Sequence, residues 1–363
     1  MPFSGERLKV ARQRRKLSGR LLAEKAKLTA VTISKAENGH QVEDSTADAL
    51  ASALDYPKSF FFLEKPEVID ADTVSFRSLA KMGAADRDAS IAAGSLGVAL
   101  YDWVDKKFHL PEPDLIDLNK ERNRPDSAAR LLRQHWGLGD RPIGNILALL
   151  ESKGVRVLSL SENTRSVDAY SFWRADRPYM FLNQEKTPER SSFDSAHELG
   201  HLVMHHHAGA RNDKGAEYQA DAFASAFLMP EADIKNEIGS ISSPSQVIRS
   251  KLRWKVSAMA LVYRLHKLGL LTDWVYRSLC IDLGKMGYRK DEPVGVERET
   301  SVVWTKVLTA LWSKRITKET VASELHIPLS ELENLIFKLA GPPNSSKTDG
   351  QKSTEGVVSQ MRP

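Results

Sequence analysis

Residues 191–206 have the sequence SSFDSAHELGHLVMHH, and residues 217–230 have the sequence EYQADAFASAFLMP. In the first stretch His197 and His201 are four residues apart, so on a helix both imidazoles lie on one face, about 6 Å apart. Two such histidines suit one tetrahedral zinc ion. Glu198 lies beside the metal without ligating it and can take a proton from a water molecule. The spacing therefore predicts a zinc peptidase site with Glu198 as general base.

A catalytic zinc site needs a third protein ligand and an open fourth position, and the sequence offers two candidates. His207 has the spacing of the third histidine in the HExxHxxGxxH pattern, but Met204 stands where that pattern has glycine. A methionine disfavours the left-handed backbone that the sharp turn needs. Glu217 instead arrives on a second predicted helix, and two histidines with a carboxylate form an established zinc set. We predict that Glu217 is the third ligand.

Two further groups near the motif have both a functional and a structural interpretation. Asp221 lies one turn after Glu217, where it could hold a ligand histidine by a hydrogen bond or be an exposed helix carboxylate. The triplet 205–207 is predicted to be a solvated or helix-capping histidine cluster. HExxH also occurs by chance, but strands predicted directly before the motif favour a zinc peptidase. These predicted strands cover 155–160, 169–173 and 179–182.

The two stretches resemble the ImmA/IrrE family of zinc metallopeptidases over roughly residues 150–280. The resemblance rests on the HELGH motif and on the family pattern ExxA[ND]xFAxxLLMP, in which Phe227 replaces a leucine. It implies metal ligands at His197, His201 and Glu217, with Glu198 as the catalytic residue. Relatives of the peptidase cut repressor-type transcription factors, so the resemblance also implies an endopeptidase with a repressor as its protein substrate.

The basic charge of the chain is confined to its N-terminal end. The net charge is +5, but residues 1–40 alone hold ten basic and three acidic residues. Such asymmetry points to a nucleic-acid-binding module attached to a second function. Within 4–64, apolar residues recur at helical spacing in short segments, which predicts a compact helical domain.

Residues 17–26 predict one helix, and residues 28–39 predict a turn and a second helix with small polar side chains outside, as helix-turn-helix recognition requires. They resemble the XRE (lambda-repressor-like) family over 4–64, with Gly19 where the family usually has a polar residue. A bundle with a solvated basic face is the alternative. The predicted phosphate contacts are Arg14, Arg15 and Arg20, and the predicted groove-facing residues are Ala30, Val31, Thr32, Ser34 and Lys35.

The residue pattern of 317–338 is also typical of a helix-turn-helix. Glu331 and Glu333 lie on the second predicted helix, where they would repel phosphates. We therefore predict a packing or dimerisation element there.

The cysteine content and the hydropathy of the chain indicate the cellular compartment. The single cysteine, Cys280, cannot form an internal disulfide, so a reducing compartment is expected. The chain has no apolar run of about eighteen residues and no apolar core after its N-terminal charges. We therefore expect a cytoplasmic protein with no membrane partner.

The predicted fold is α-rich α+β, with an all-α lambda-repressor-like helix-turn-helix domain, a zincin-like metallopeptidase domain with a small sheet, and a helical C-terminal extension. The predicted bounds are 1–65 for the DNA-binding domain, 66–130 for a helical connector, 131–280 for the peptidase, 281–340 for the extension and 341–363 for a disordered tail.

The predicted function is a DNA-binding transcriptional regulator with an endopeptidase that uses zinc or another divalent metal. Its partners would be a double-stranded DNA operator, bound as a homodimer, and a repressor as protein substrate. One alternative is a non-catalytic regulator whose metal site senses a ligand or stabilises the fold. Another is the DNA-binding half of a toxin–antitoxin or phage-defence pair. Glu198, which a structural metal site would not require, favours the enzyme.

Overall fold

The computed structural model describes residues 2–69, 75–76 (backbone only), 83–160, 169–205, 214–288 and 291–340. The predicted tail and the candidate ligand His207 lie outside these residues. The chain divides into two compact units, and the predicted domain bounds stay a prediction. The first unit comprises Met1–Pro111, Leu158–Asp168 and Val302–Pro363, and the second comprises Glu112–Val157 and Ala169–Ser301.

Helices dominate the described residues, and the strands are few and short. In chain order the helices are α1 (Gly5–Arg14), α2 (Gly19–Ala26), α3 (Ala30–Glu37), α4 (Asp44–Leu54), α5 (Ala84–Lys107), α6 (Pro125–His135), α7 (Ile146–Ser152), α8 (Pro188–Met204), α9 (Lys214–Leu228), α10 (Glu231–Glu237), α11 (Pro244–Lys251), α12 (Ala258–Lys267), α13 (Asp273–Lys285), α14 (Val302–Ser313), α15 (Lys318–Glu324) and α16 (Leu329–Leu335). The strands are β1 (Ser75–Phe76), β2 (Arg156–Leu160), β3 (Ala169–Arg174) and β4 (Arg177–Asn183).

The first three helices begin where hydroxyl side chains cap them. Ser4, Ser18 and Thr29 precede α1, α2 and α3, and each accepts a hydrogen bond from the backbone N–H three residues further on. Each cap satisfies a donor that the helix itself leaves unpaired. Lys27 ends α2 with a φ of 55°, a left-handed conformation that turns the chain into α3. The predicted helix-turn-helix is therefore confirmed as a fold.

Apolar residues at helical spacing form the core of this N-terminal bundle. Leu8, Leu22, Ile33 and Leu50 have 1% or less of their surface exposed, and each comes from a different helix of the four. Phe60, on the short 3₁₀ helix after α4, is buried as well. Burial of side chains of this size contributes about 1.5–3 kcal/mol each, so this face decides how the four helices pack.

The first unit also contains α5 and the last three helices. The ring of Tyr101 on α5 lies 5.3 Å from that of Trp304 on α14, measured between ring centroids. The indole N–H of Trp103 donates to Glu324 on α15 over 2.8 Å. These contacts hold α14 and α15 against α5.

The second unit packs helices α8 and α9 beside a small sheet. Strands β3 and β4 pair in an antiparallel hairpin that sets Ser171 opposite Met180. The three strands predicted before the metal motif are therefore confirmed. Tyr170 and Phe181 stack across the hairpin with ring centroids 4.6 Å apart, so paired aromatic side chains stabilise the register.

A buried ion pair fixes the start of α8. Lys251 is fully buried, and its ammonium lies 2.8 Å from the carboxylate of Glu189. Glu189 belongs to the first turn of α8, where a negative charge is favoured by the helix dipole. A buried charge is stable only with such a partner, so this contact ties α8 to α11.

Among the described residues, no helix has both the length and the apolar composition that crossing a bilayer requires.

Candidate metal centre and DNA-binding surface

Helices α8 and α9 bring His197, His201 and Glu217 together. The Nε2 atoms of the two histidines are 3.1 Å apart. The Glu217 carboxylate lies 3.2 Å from Nε2 of His201 and 3.5 Å from Nε2 of His197. One ligand atom from each residue lies within 4.8 Å of the other two. Two imidazole nitrogens and a carboxylate oxygen at one point fit the donor set of catalytic zinc.

Asp221 sets the proton position on His197. Its carboxylate lies 2.9 Å from Nδ1 of His197. A carboxylate only accepts hydrogen bonds, so Nδ1 carries the proton and Nε2 keeps its lone pair. That lone pair is on the atom nearest Glu217 and His201, as a metal ligand requires. Asp221 is half-exposed and paired with His197, and its role in holding a ligand histidine stays a prediction.

Gly200 allows α9 to approach α8 closely. A Cβ atom at this position would lie 3.0 Å from the Phe223 ring and 3.4 Å from Cα of Ala220. The contact with Phe223 would be tighter than ordinary packing, and the contact with Ala220 would be at its limit. The glycine of the HELGH motif therefore keeps α9, which carries Glu217 and Asp221, near both histidines.

Glu198 follows His197 on α8 and is fully buried. The hydroxyl of Ser171 on β3 donates to Oε2 of Glu198 over 2.7 Å. Oε1 is buried too and has no hydrogen-bond partner among the described residues. Burial raises the pKa of Glu198 to about 7, against the opposing effects of the nearby His197 and of the bond from Ser171. A pKa near neutrality suits a general base.

His201 and Glu217 have the protonation states that metal ligands need. Burial lowers the pKa of His201 to about 4, so its imidazole is neutral near pH 7. Burial alone would raise the pKa of Glu217, but its contacts with His197 and His201 hold that pKa well below its usual range. Neutral imidazole and ionised carboxylate are the forms that bind a metal ion.

Two residues next to the cluster were missed by the sequence analysis. Ser171 reaches Glu198 from the sheet, and the contact depends on how β3 packs on α8. Of the two roles predicted for the 205–207 cluster, solvated or helix-capping, the capping role fits His205, which is the C-cap residue of α8. The solvated role does not fit, because His205 is 8% exposed and contacts His201 and Gln219. Its spacing gave a signal, because His205 follows His201 by four residues, as His201 follows His197.

The predicted groove-facing residues lie on α3, on the side away from the core. Ala30, Val31, Ser34 and Lys35 are exposed, and Thr32 is half-buried. Arg20 on α2 is exposed too, with Glu24 as an i,i+4 partner at 3.1 Å. This surface is therefore open to a ligand in the first unit, and its role in DNA contact stays a prediction.

Arg14 and Arg15 occupy different surroundings from those expected of phosphate contacts. The Arg14 guanidinium is buried, lies 2.9 Å from the Glu331 carboxylate and donates to the carbonyl of Ala89. Arg15 donates to the other oxygen of Glu331 over 2.7 Å and to the carbonyl of Leu54. The structure thus gives both side chains intramolecular partners, which a phosphate would have to displace.

Comparison with known families agrees with both resemblances. The family model described as the IrrE N-terminal-like domain, Peptidase_M78, matches residues 150–266. The helix-turn-helix model HTH_3 matches residues 8–61. A comparison with curated proteins found no match. The chain therefore joins an XRE-type helix-turn-helix to an IrrE/ImmA-like segment, which supports DNA binding and a metallopeptidase type of enzyme.

Proposed function

We propose that this chain, which joins a helix-turn-helix to a peptidase-family segment, is a transcriptional regulator with a zinc-dependent endopeptidase that cleaves a repressor-type protein. The observation that carries the proposal is the convergence of His197, His201 and Glu217 beside the buried carboxyl of Glu198. A purely structural metal site has no use for a second carboxyl group that does not bind the metal and has a pKa near neutrality.

The proposed roles follow from the donor atoms. His197, His201 and Glu217 would hold the metal, with Asp221 orienting His197. Zinc, when bound, lowers the pKa of a water molecule and polarises the scissile carbonyl. Ser171 holds one oxygen of Glu198, while the other oxygen lacks a partner within the described chain.

Glu198 is the proton carrier in this proposal. Its free oxygen accepts a proton from the attacking water and passes it to the nitrogen of the leaving amine. Because its pKa is about 7, the carboxyl can both take and release that proton near neutral pH. Glu198 and both ligand histidines are buried, which strengthens the electrostatic interactions among them.

The DNA-binding part of the proposal rests on α2 and α3. Arg20 would contact phosphate, and Ser34 and Lys35, with Ala30, Val31 and Thr32, would face the base edges of an operator. A homodimer on a pseudo-palindromic operator is expected of this motif class. Fusion to the peptidase would bring the protease to the operator where its repressor substrate is bound.

A cleavage assay tests the enzyme directly. The full chain, loaded with zinc, is incubated with repressors encoded near its own gene, and the products are identified by mass spectrometry. The parent should cut at least one repressor, and Glu198→Gln should retain zinc but lose cleavage, because Gln preserves shape without accepting the proton. Equal cleavage by parent and variant refutes the mechanism. DNA binding that responds to zinc without cleavage would instead support a non-catalytic sensor.

A further inference from the structure

We propose that His205 and Gln219 are positioning residues that fix the tautomer of His201, so that its Nε2 lone pair faces the metal cluster. The inference rests on the proposed metal site and extends it beyond the ligands. It assigns a role to a histidine at the end of α8 and to a glutamine on α9 that neither family resemblance supplied.

A continuous series of hydrogen bonds, which we call the relay, starts at Nδ1 of His201. Nδ1 of His201 lies 3.2 Å from Nδ1 of His205. Nε2 of His205 lies 2.8 Å from Oε1 of Gln219. The side-chain amide of Gln219 donates in turn to Oδ1 of Asn123 over 3.0 Å. Each contact has the length of an ordinary hydrogen bond.

The chemistry of each group fixes the direction of these bonds. The Gln219 amide nitrogen is used toward Asn123, which leaves the amide oxygen, an acceptor only, toward His205. Nε2 of His205 must therefore carry a proton, and in the neutral ring Nδ1 then has a lone pair. That lone pair accepts the Nδ1–H of His201, which in the neutral ring leaves Nε2 unprotonated for a metal. The Glu217 carboxylate, 3.2 Å from this Nε2, opposes that tautomer only while no metal is bound.

Because His201 and His205 are buried, their ring nitrogens need the hydrogen bonds of the relay. His201 and His205 have only 6% and 8% of their surface exposed, so bulk water does not readily replace the bond between them. A buried ring nitrogen without a partner would be costly, and the ring would turn to relieve it. The relay therefore favours one ring orientation and one tautomer.

The two ligand histidines are thus oriented by different groups, each of which includes a side chain of α9. His197 has the carboxylate of Asp221 behind it, and His201 has the neutral His205–Gln219 pair. Asp221 and Gln219 both lie on α9, as does Glu217. Docking of α9 on α8 accordingly supplies the third ligand and the partners that set both histidines.

Zinc competition against a chelator, using the full chain, tests the relay. Gln219→Leu removes the acceptor at similar volume and should weaken zinc binding about 10- to 100-fold. Gln219→Glu keeps an oxygen that accepts from His205, so its zinc affinity should stay within a few-fold of the parent. Gln134→Leu, the same change at an exposed position on α6, should leave the affinity unchanged.

A second measurement reads the tautomer itself. The Glu217 carboxylate lies 3.2 Å from Nε2 of His201 and, without a metal, attracts a proton there, so the measurement uses metal-free, ¹⁵N-histidine-labelled protein carrying Glu217→Ala. In this background, long-range ¹⁵N–¹H correlations should show His201 protonated at Nδ1, both with the native Gln219 and with Gln219→Glu. In Gln219→Leu the signal should move toward a mixture of tautomers, which a general loss of stability would not produce selectively.

The outcomes separate this inference from the proposed function. If the parent binds zinc and Gln219→Leu binds it equally well, the relay is refuted and the metal site stands. If Gln219→Glu loses as much affinity as Gln219→Leu, an acceptor at this position is not what matters, and the relay is again refuted. A parent that binds no zinc would overturn both.

Discussion

At the scale of single residues, burying the ionised carboxyl of Glu198 costs folding free energy. Its carboxyl is fully buried, and within the described chain it accepts one side-chain hydrogen bond, from Ser171. Burial disfavours the charged form and raises the pKa from 4.5 to about 7. Function and stability therefore make opposite demands on this residue, as is common for catalytic groups.

The first prediction concerns Glu198→Gln in the metal-free protein. Between about pH 4.5 and 7 the folded parent binds more protons than the unfolded chain, so the parent loses stability as the pH rises through this range. Gln carries no charge and escapes that loss. The variant should be more stable than the parent by up to about 3 kcal/mol at pH 8 and nearly equal at about pH 4.5.

Urea unfolding of both proteins at the two pH values measures this difference. A stability difference that does not change with pH would contradict the raised pKa of Glu198.

The residue scale also shows what the sequence could predict of the site. The pair His197 and His201 follows from local helix geometry, and their proximity to Glu217 follows from the third-ligand argument. The contact between Ser171 and Glu198 depends on strand register and on packing of the sheet against α8, which spacing along the chain does not encode. His205 had the right spacing, but its burial is a tertiary property.

At the scale of elements, α16 is joined to α1 through a buried carboxylate. Glu331 is 1% exposed and lies 2.9 Å from the Arg14 guanidinium and 2.7 Å from that of Arg15. The sequence predicted a packing or dimerisation element here, and the packing role agrees with these contacts. The helical rhythm of the segment was visible in the sequence, whereas its partner on α1 was not.

The second prediction is that Glu331→Gln destabilises the first unit. Removing one charge from a buried ion pair leaves the arginines uncompensated and costs about 3–5 kcal/mol. Glu333→Gln is the matched control, because Glu333 is exposed on the same helix, and it should cost less than about 1 kcal/mol.

Hydrogen exchange of α1 and α16 in the folded proteins reports the loss locally. Equal protection in the two variants would show that the Glu331 contacts contribute nothing to holding these helices together.

At the scale of the whole molecule, the compact units are not continuous in sequence. The first unit combines the N-terminal helices with Val302–Pro363, through contacts such as that of Tyr101 with Trp304. Periodicity indicated the α-rich fold class, because caps, turns and helical spacing are local. Charge distribution, motif spacing and two family resemblances pointed to the two functional segments. Which distant segments join one unit depends on long-range packing, which those signals do not carry.

The third prediction is that DNA binding depends strongly on salt and divides by residue. In the full chain, Arg20→Ala should weaken binding to all sequences alike and reduce the salt slope by about 1, since it removes one phosphate contact. Lys35→Ala or Ser34→Ala should instead change the sequence preference. Binding to random and selected duplexes at several salt concentrations distinguishes the two effects, and an Arg20→Ala variant that changes only sequence preference would contradict the assignment.

A zinc titration of the parent, Glu217→Ala and His207→Ala side by side tests the ligand set directly. The claim is that His197, His201 and Glu217 form the metal site, which predicts about one zinc per chain in the parent. Glu217→Ala should lose most of the zinc affinity, because it removes the only carboxylate of the cluster given above. His207→Ala should keep the parent's affinity. Loss of zinc from His207→Ala and its retention by Glu217→Ala would show that His207, and not Glu217, is the third ligand.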